Sequence, residues 1–192
     1  MFLKESAKFW RKLTKQASEK TPKIFALPEV VAFIQRSASQ SPMVETGGIL
    51  MGHHMGRDIL VTRATDAGPD ARRSRCGFLR DTEYCQKVLN KEFASSGADY
   101  LGEWHTHVID LPRPSRGDLQ TLVGIILDPD YNFPSFAMFL AVVNNQATRL
   151  LAYVASADDP VQDSSPRVVN VAQVIPTISE FQLWSPGGRS RD

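Results

Sequence analysis

The sequence predicts a single mixed α/β domain, on three observations. Apolar runs bounded by Gly, Asn, Asp and Ser, some joined into hairpins, alternate with stretches whose apolar residues recur at helical spacing. The 192 residues suffice for one ordinary core and would crowd two. Hydrophobic residues make up 42% and charged residues 22%, the balance of a folded chain rather than a disordered one.

Residues 1–22 read as a basic amphipathic extension. Lys4, Lys8, Arg11, Lys12, Lys15 and Lys20 stand against Glu5 and Glu19, and Phe2, Phe9, Trp10 and Leu13 recur at roughly helical spacing. The pattern fits a helix packed on the domain, and equally an arm that docks a partner or an anionic surface. Residues 24–37 read as a short apolar lead and a helix. Pro28 suits the first helical position, and Val30, Val31, Phe33 and Ile34 supply the apolar face. The stretch 37–42 is a loop. Glu45 to Gly52 is a strand rich in glycine, His53 to Asp58 a solvated turn, and Ile59 to Ala64 the returning strand of a hairpin.

Residues 67–75 read as loop. Asp81 then caps a helix whose apolar face carries Tyr84, Cys85, Val88, Leu89 and Phe93. Residues 95–99 break the chain, and Tyr100 to His107 is a strand. Residues 111–114 form an irregular extended turn. Ser115 opens a helix with Leu119, Leu122, Val123 and Ile126 on one face. Phe136 to Val143 is a strand, Asn144 and Asn145 a turn, and Arg149 to Ala155 the return. A polar linker over 156–166 and a last strand within 168–175 close a domain spanning 23–176, and 177–192 is a loose tail.

The formal net charge of +1 rules out a basic nucleic-acid coat, so no nucleic-acid partner is expected. The longest apolar run, Phe136 to Val143, is far too short for a membrane span. The first residues lack the apolar stretch of a secretion signal, which points to the cytoplasm. Cys76 and Cys85 fit no Cys-x-x-Cys pattern and read as plain thiols in a reducing compartment.

His105 and His107 are two of only four histidines. Residues two apart on a strand face the same way, so both imidazoles can reach one metal ion while Thr106 points away. A catalytic zinc site needs three protein ligands and an open position. Asp118, in the first turn of the next helix, is the candidate third ligand, and the helix N-terminus favours its ionised form. Ser115 and Asp118 also have the spacing of a capping box, which requires no chemistry. Glu45 is the candidate base, beside two glycines that permit close backbone approach to a ligand. No spacing ties it to His105.

Glu45-Thr-Gly-Gly-Ile-Leu-Met-Gly52, Gly102-Glu-Trp-His-Thr-His107 and, after seven residues, Ser115-Arg-Gly-Asp118 resemble the JAMM motif of the JAB/MPN metalloproteases. Every fixed position of that motif matches, over about residues 24–155. The ETGGIL opening resembles the prokaryotic branch, and more narrowly the JAB isopeptidases of bacterial anti-phage operons that also encode a cGAS-like nucleotidyltransferase. The resemblance implies a JAB/MPN, cytidine-deaminase-like fold, with a curved mixed sheet flanked by helices. It implies Zn²⁺ held by His105, His107 and Asp118, water activated by Glu45, and an oxyanion stabilised by the Ser115 hydroxyl. It implies hydrolysis of an isopeptide or peptide bond at the C-terminal tail of a ubiquitin-like or similarly conjugated protein. Many relatives carry Pro after the second histidine; Val108 stands here, so a different loop geometry is expected.

Other readings remain open on the sequence. Processing of a sulfur-carrier protein uses the same chemistry, and a metal-free MPN scaffold would bind without cleaving. A zinc deaminase would need a Pro-Cys-x-x-Cys that is absent.

Overall fold

The computed structural model describes residues 22–108, 111–144, 148–156 and 169–170. The predicted basic extension, apart from Pro22, and the predicted tail lie outside them. The predicted hairpin forms from β2 (Gly47–Met55) and β3 (Asp58–Ala64). β6 (Asp99–His107) pairs antiparallel with the other side of β2 and parallel with β7 (Phe136–Val143). β7 pairs antiparallel with β8 (Thr148–Ala155). β1 (Ile24–Ala26) joins β3 in parallel and β9 (Val169–Asn170) joins β8. The result is a seven-stranded sheet in the order β1-β3-β2-β6-β7-β8-β9, curved and nearly closed.

Helices cover both faces. On one face, α1 (Pro28–Ser39) packs Val30, Ile34 and Ala38 with Leu50, Val61, Trp104 and Phe139. On the other, α2 (Thr82–Ser96) sets Cys85 and the partly buried Tyr84, Val88 and Leu89 against Ile49 and Met51. Beside it, α3 (Arg116–Leu127) packs Leu119, Leu122 and Ile126 on Phe136, Met138 and Leu140. Covering on both faces explains why β7 is continuously apolar instead of alternating. Asp81 caps α2 by accepting from the Tyr84 N–H, and Gly97 ends it in the left-handed conformation.

The structure departs from the sequence reading where tertiary contacts decide. The apolar lead is a strand, because β3 offers its free edge. α1 runs through Ser39, into the predicted loop. β2 runs through Met55, so His53 and His54 lie in a strand instead of a solvated turn. Both ring nitrogens of His54 are buried without a hydrogen-bond partner, and burial lowers its pKa against the pull of Asp99. The predicted loop holds part of a small hairpin of β4 (Arg72–Ser74) and β5 (Gly77–Leu79). Phe93, predicted on the buried face of α2, is 60% exposed. Cys76 is exposed, Cys85 is buried, and both are free thiols. Among the described residues no helix is long and apolar enough to cross a membrane.

The two glycines that open β2 serve packing, not ligand approach. A Cβ on Gly47 would meet the Trp104 carbonyl oxygen at 2.1 Å and the Phe78 ring at 2.4 Å, and one on Gly48 would meet the Thr65 carbonyl oxygen at 2.1 Å. The missing side chains let β6 and the β4–β5 hairpin close over the start of β2. Gly47→Ala is therefore expected to destabilise the fold by about 1–3 kcal/mol, as overpacking does. Denaturant unfolding of the full chain checks this, and an unchanged midpoint would contradict it.

Candidate active site

A parallel step from β6 to β7 requires a crossover, and α3 supplies it. Its first turn therefore starts near the carboxyl end of β6, where His105 and His107 sit. Antiparallel pairing brings the amino end of β2 to the same place, with Gly47 opposite His105. Two bonds extend the ladder. The Thr106 N–H donates to the Thr46 carbonyl at 2.8 Å, and the Thr46 N–H donates to Thr106 Oγ1 at 2.9 Å. Glu45 comes next, and its N–H donates to the Ser74 carbonyl at 2.7 Å. Thr106, which points away from the imidazoles, thus anchors the segment that carries the glutamate.

Glu45, His105, His107, Ser115 and Asp118 all line one cleft of about 360 Å³. The ligand atoms of His105, His107 and Asp118 lie within 4.8 Å of one another. His105 Nε2 is 3.4 Å from Asp118 Oδ1 and His107 Nε2 is 3.3 Å from Oδ2. His107 Nδ1 lies 3.0 Å from the Leu111 carbonyl oxygen, which can only accept. In the neutral ring the proton therefore sits on Nδ1, and Nε2 turns a lone pair toward the carboxylate. His105 Nε2 is buried with no hydrogen-bond partner. Lone pairs packed this closely repel unless a cation lies among them.

A metal ion fits that requirement. Two ligands each about 2.0–2.1 Å from a tetrahedral ion lie about 3.3–3.4 Å apart, and each imidazole nitrogen has a carboxylate oxygen at that separation, Oδ1 for His105 and Oδ2 for His107. Two imidazole nitrogens and one carboxylate oxygen are a donor set for a divalent ion of the zinc class.

Burial would raise the Asp118 pKa, but the close approach of His105 and His107, with a bond from Ser115, outweighs it and holds it well below the ordinary range. Burial opposes a charge on His107, but the Asp118 hydrogen bond, the Leu111 carbonyl and the Asp118 and Glu45 charges push its pKa up. Burial raises Glu45, while the two histidines oppose the shift.

Ser115 and Asp118 form the full capping box of α3. The Asp118 N–H donates to Ser115 Oγ at 3.2 Å and the Ser115 N–H donates to Asp118 Oδ2 at 2.6 Å. The cap uses a lone pair of the hydroxyl, so its hydrogen remains available to the cleft. The sequence reading missed Glu103, which lines the cleft and accepts from Tyr100 Oη at 2.8 Å and from Arg80. Its place two residues before His105 on one strand was the available signal. Phe78 and Arg75, brought in by the small hairpin, had none. Val108 follows β6 as a bend, and the adjoining residues 109–110 lie outside the described ones.

A metal ion held by this group would compete with a proton for His107 Nε2. The metal-free fold gains stability from the protonated ring at pH below the unfolded histidine value, and loses it as pH rises through the raised folded value. Added zinc should therefore stabilise the fold more above about pH 7 than below it. Thermal unfolding of the metal-free and zinc-loaded chain on both sides checks this. Equal stabilisation at the two would count against the site.

The family of prokaryotic homologs of the JAB domain matches residues 28–157. A probable metalloprotease of Sinorhizobium fredii, y4qB, is 34% identical over 124 residues, which cover 62% of this chain and 76% of that one. A CD-NTase/cGAS isopeptidase of Escherichia coli is 39% identical over 85 residues, covering 43% of this chain and 54% of that one. The Vibrio cholerae protein of the same name is 37% identical over 76 residues, covering 38% and 49%. The chain thus spans about half the length of these isopeptidases. The solution structure of DSY2949 from Desulfitobacterium hafniense shares the fold, with a TM-score of 0.57 at 21% identity, over 80% of this chain and 92% of that one. A family match over most of the described core, on a sheet of the same architecture, places this chain in the prokaryotic JAB domain family.

Proposed function

We propose that the chain hydrolyses an amide bond at the C-terminal tail of a conjugated protein, with Zn²⁺ held by His105, His107 and Asp118 and with Glu45 as general base. At the coarser level the chain is a metalloprotease-like hydrolase of the JAB type. The observation that carries the finer reading is the meeting of Glu45 with the His-His-Asp group across the β2–β6 pair.

Zinc bound there supplies a Lewis acid for the carbonyl and makes water more acidic. The Glu45 carboxylate takes a proton from the attacking water and returns it to the departing amine, so amide and water become carboxylate and amine. The Ser115 hydroxyl hydrogen, free of the helix cap, is available to the oxygen on which charge develops. The Leu111 carbonyl fixes the His107 tautomer that leaves Nε2 for the ion. The likeness to proteins named CD-NTase/cGAS isopeptidase supports a conjugated cGAS-like nucleotidyltransferase as substrate, in anti-phage defence, over trimming of a sulfur carrier.

The test is incubation with a fusion that joins a candidate tail to a reporter, with and without chelator. Release that stops with chelator and returns with zinc is expected, and release indifferent to both would overturn the proposal. Glu45→Gln should retain zinc by elemental analysis yet lose about 10²–10⁴-fold in turnover. Ser115→Ala should keep zinc, lose about 10²–10³-fold in kcat, and lose about 1 kcal/mol of stability with the cap.

A further inference from the structure

The two stretches flanking the cleft are charged in one sense. Residues 72–79 carry Arg72, Arg73 and Arg75, residues 111–117 carry Arg113 and Arg116, and neither stretch has an acidic residue. Asp70, Asp81, Asp110 and Asp118 lie just outside them in sequence. All five arginines are exposed. Arg75 lines the cleft from the β4–β5 side. Arg116 adjoins in sequence Ser115 and Gly117, which line it from the α3 side, and Arg113 lies in sequence between Leu111 and Ser115, which also line it. Whole-chain charge is almost balanced, with 22 basic against 21 acidic residues, so this concentration is local.

Three carboxylates line the cleft. Glu103 is paired with Arg80, Asp118 faces His105 and His107, and Glu45 shares the cleft with both histidines. The inner wall is apolar, with Leu122, Ile125, Phe136 and Met138. A low-dielectric wall beside a charged rim focuses the field into the opening.

We infer that the cleft selects a peptide tail with acidic side chains flanking the scissile bond, drawn in by the arginines of the β4–β5 hairpin and of the α3 approach. The inference rests on the proposed function for the peptide nature of the ligand. It adds a charge requirement that the function by itself does not impose. An arginine-bearing tail is repelled by the same rim. Exposed charges act mainly on encounter and are screened by salt, so selection falls on KM and weakens as ionic strength rises.

The test uses the full-length, zinc-loaded Glu45→Gln chain, which separates binding from turnover. Fluorescence anisotropy compares two labelled peptides of equal length around a central Gly-Ala bond, one flanked by Asp and Glu and the other by Arg and Lys. The acidic peptide should bind at least about tenfold more tightly at low salt, with the difference shrinking at physiological salt. Adding Arg75→Glu and Arg116→Glu should remove or reverse the preference while zinc content stays unchanged. Equal binding of the two peptides, or tighter binding of the basic one, would overturn the inference. So would a single-stranded oligonucleotide competing as well as the acidic peptide, since the rim would then be a general polyanion surface. If the acidic preference holds and no tail is cleaved by the unsubstituted enzyme, the hydrolase reading fails and the charge selection stands.

Discussion

The site depends on how β6 is paired. Its antiparallel neighbour β2 must begin where β6 ends, and its parallel neighbour β7 must be reached through a helix that starts at that same end. One strand with two kinds of neighbour therefore gathers three distant stretches of chain at a single rim. The two imidazoles come from the strand, the carboxylate of Asp118 from the first turn of the crossover, and Glu45 from the chain entering β2. The arrangement obeys the rule that ligands gather outside the carboxyl ends of strands in such sheets.

What gathers there is electrostatically uncomfortable without a cation. Two imidazole nitrogens and a carboxylate share a partly buried space, with lone pairs within 3.3–3.4 Å of the opposing oxygens. Burying such groups costs stability unless a proton or metal sits among them. The fold compensates in part with the capping box of α3, in which the Ser115 N–H donates to the Asp118 carboxylate. The Leu111 carbonyl holds His107 in one tautomer. A site that is poorly satisfied alone and well satisfied with a cation is one in which metal binding contributes to folding.

The rim follows a different logic. The β4–β5 hairpin has few buried contacts and packs its Phe78 ring over Gly47, so the loss of a side chain in β2 makes room for an element bearing three arginines. The same contact places Ser74 to accept from the Glu45 N–H. Core packing, the anchoring of Glu45 and the charge of the cleft mouth are thus linked through one small hairpin.

Local signals in the sequence determined much of this molecule. Alternation put His105 and His107 on one face, the Ser115–Asp118 spacing announced a helix start, and the run from Phe136 to Val143 announced a strand covered on both sides. Each depends on residues only a few positions apart, and local sterics and hydrogen bonding suffice to express it. The JAMM-like pattern joined these pieces by resemblance but supplied no force connecting Glu45 to the histidines across sixty positions. Only the tertiary structure decided that meeting, because strand order is set by the burial of whole faces. The same holds for β1, which exists as a strand because β3 had a free edge, and for His54, buried because β2 continues past the predicted turn. The arginine hairpin had no periodicity to read, since its strands are made by pairing with each other and by one aromatic ring resting on a glycine.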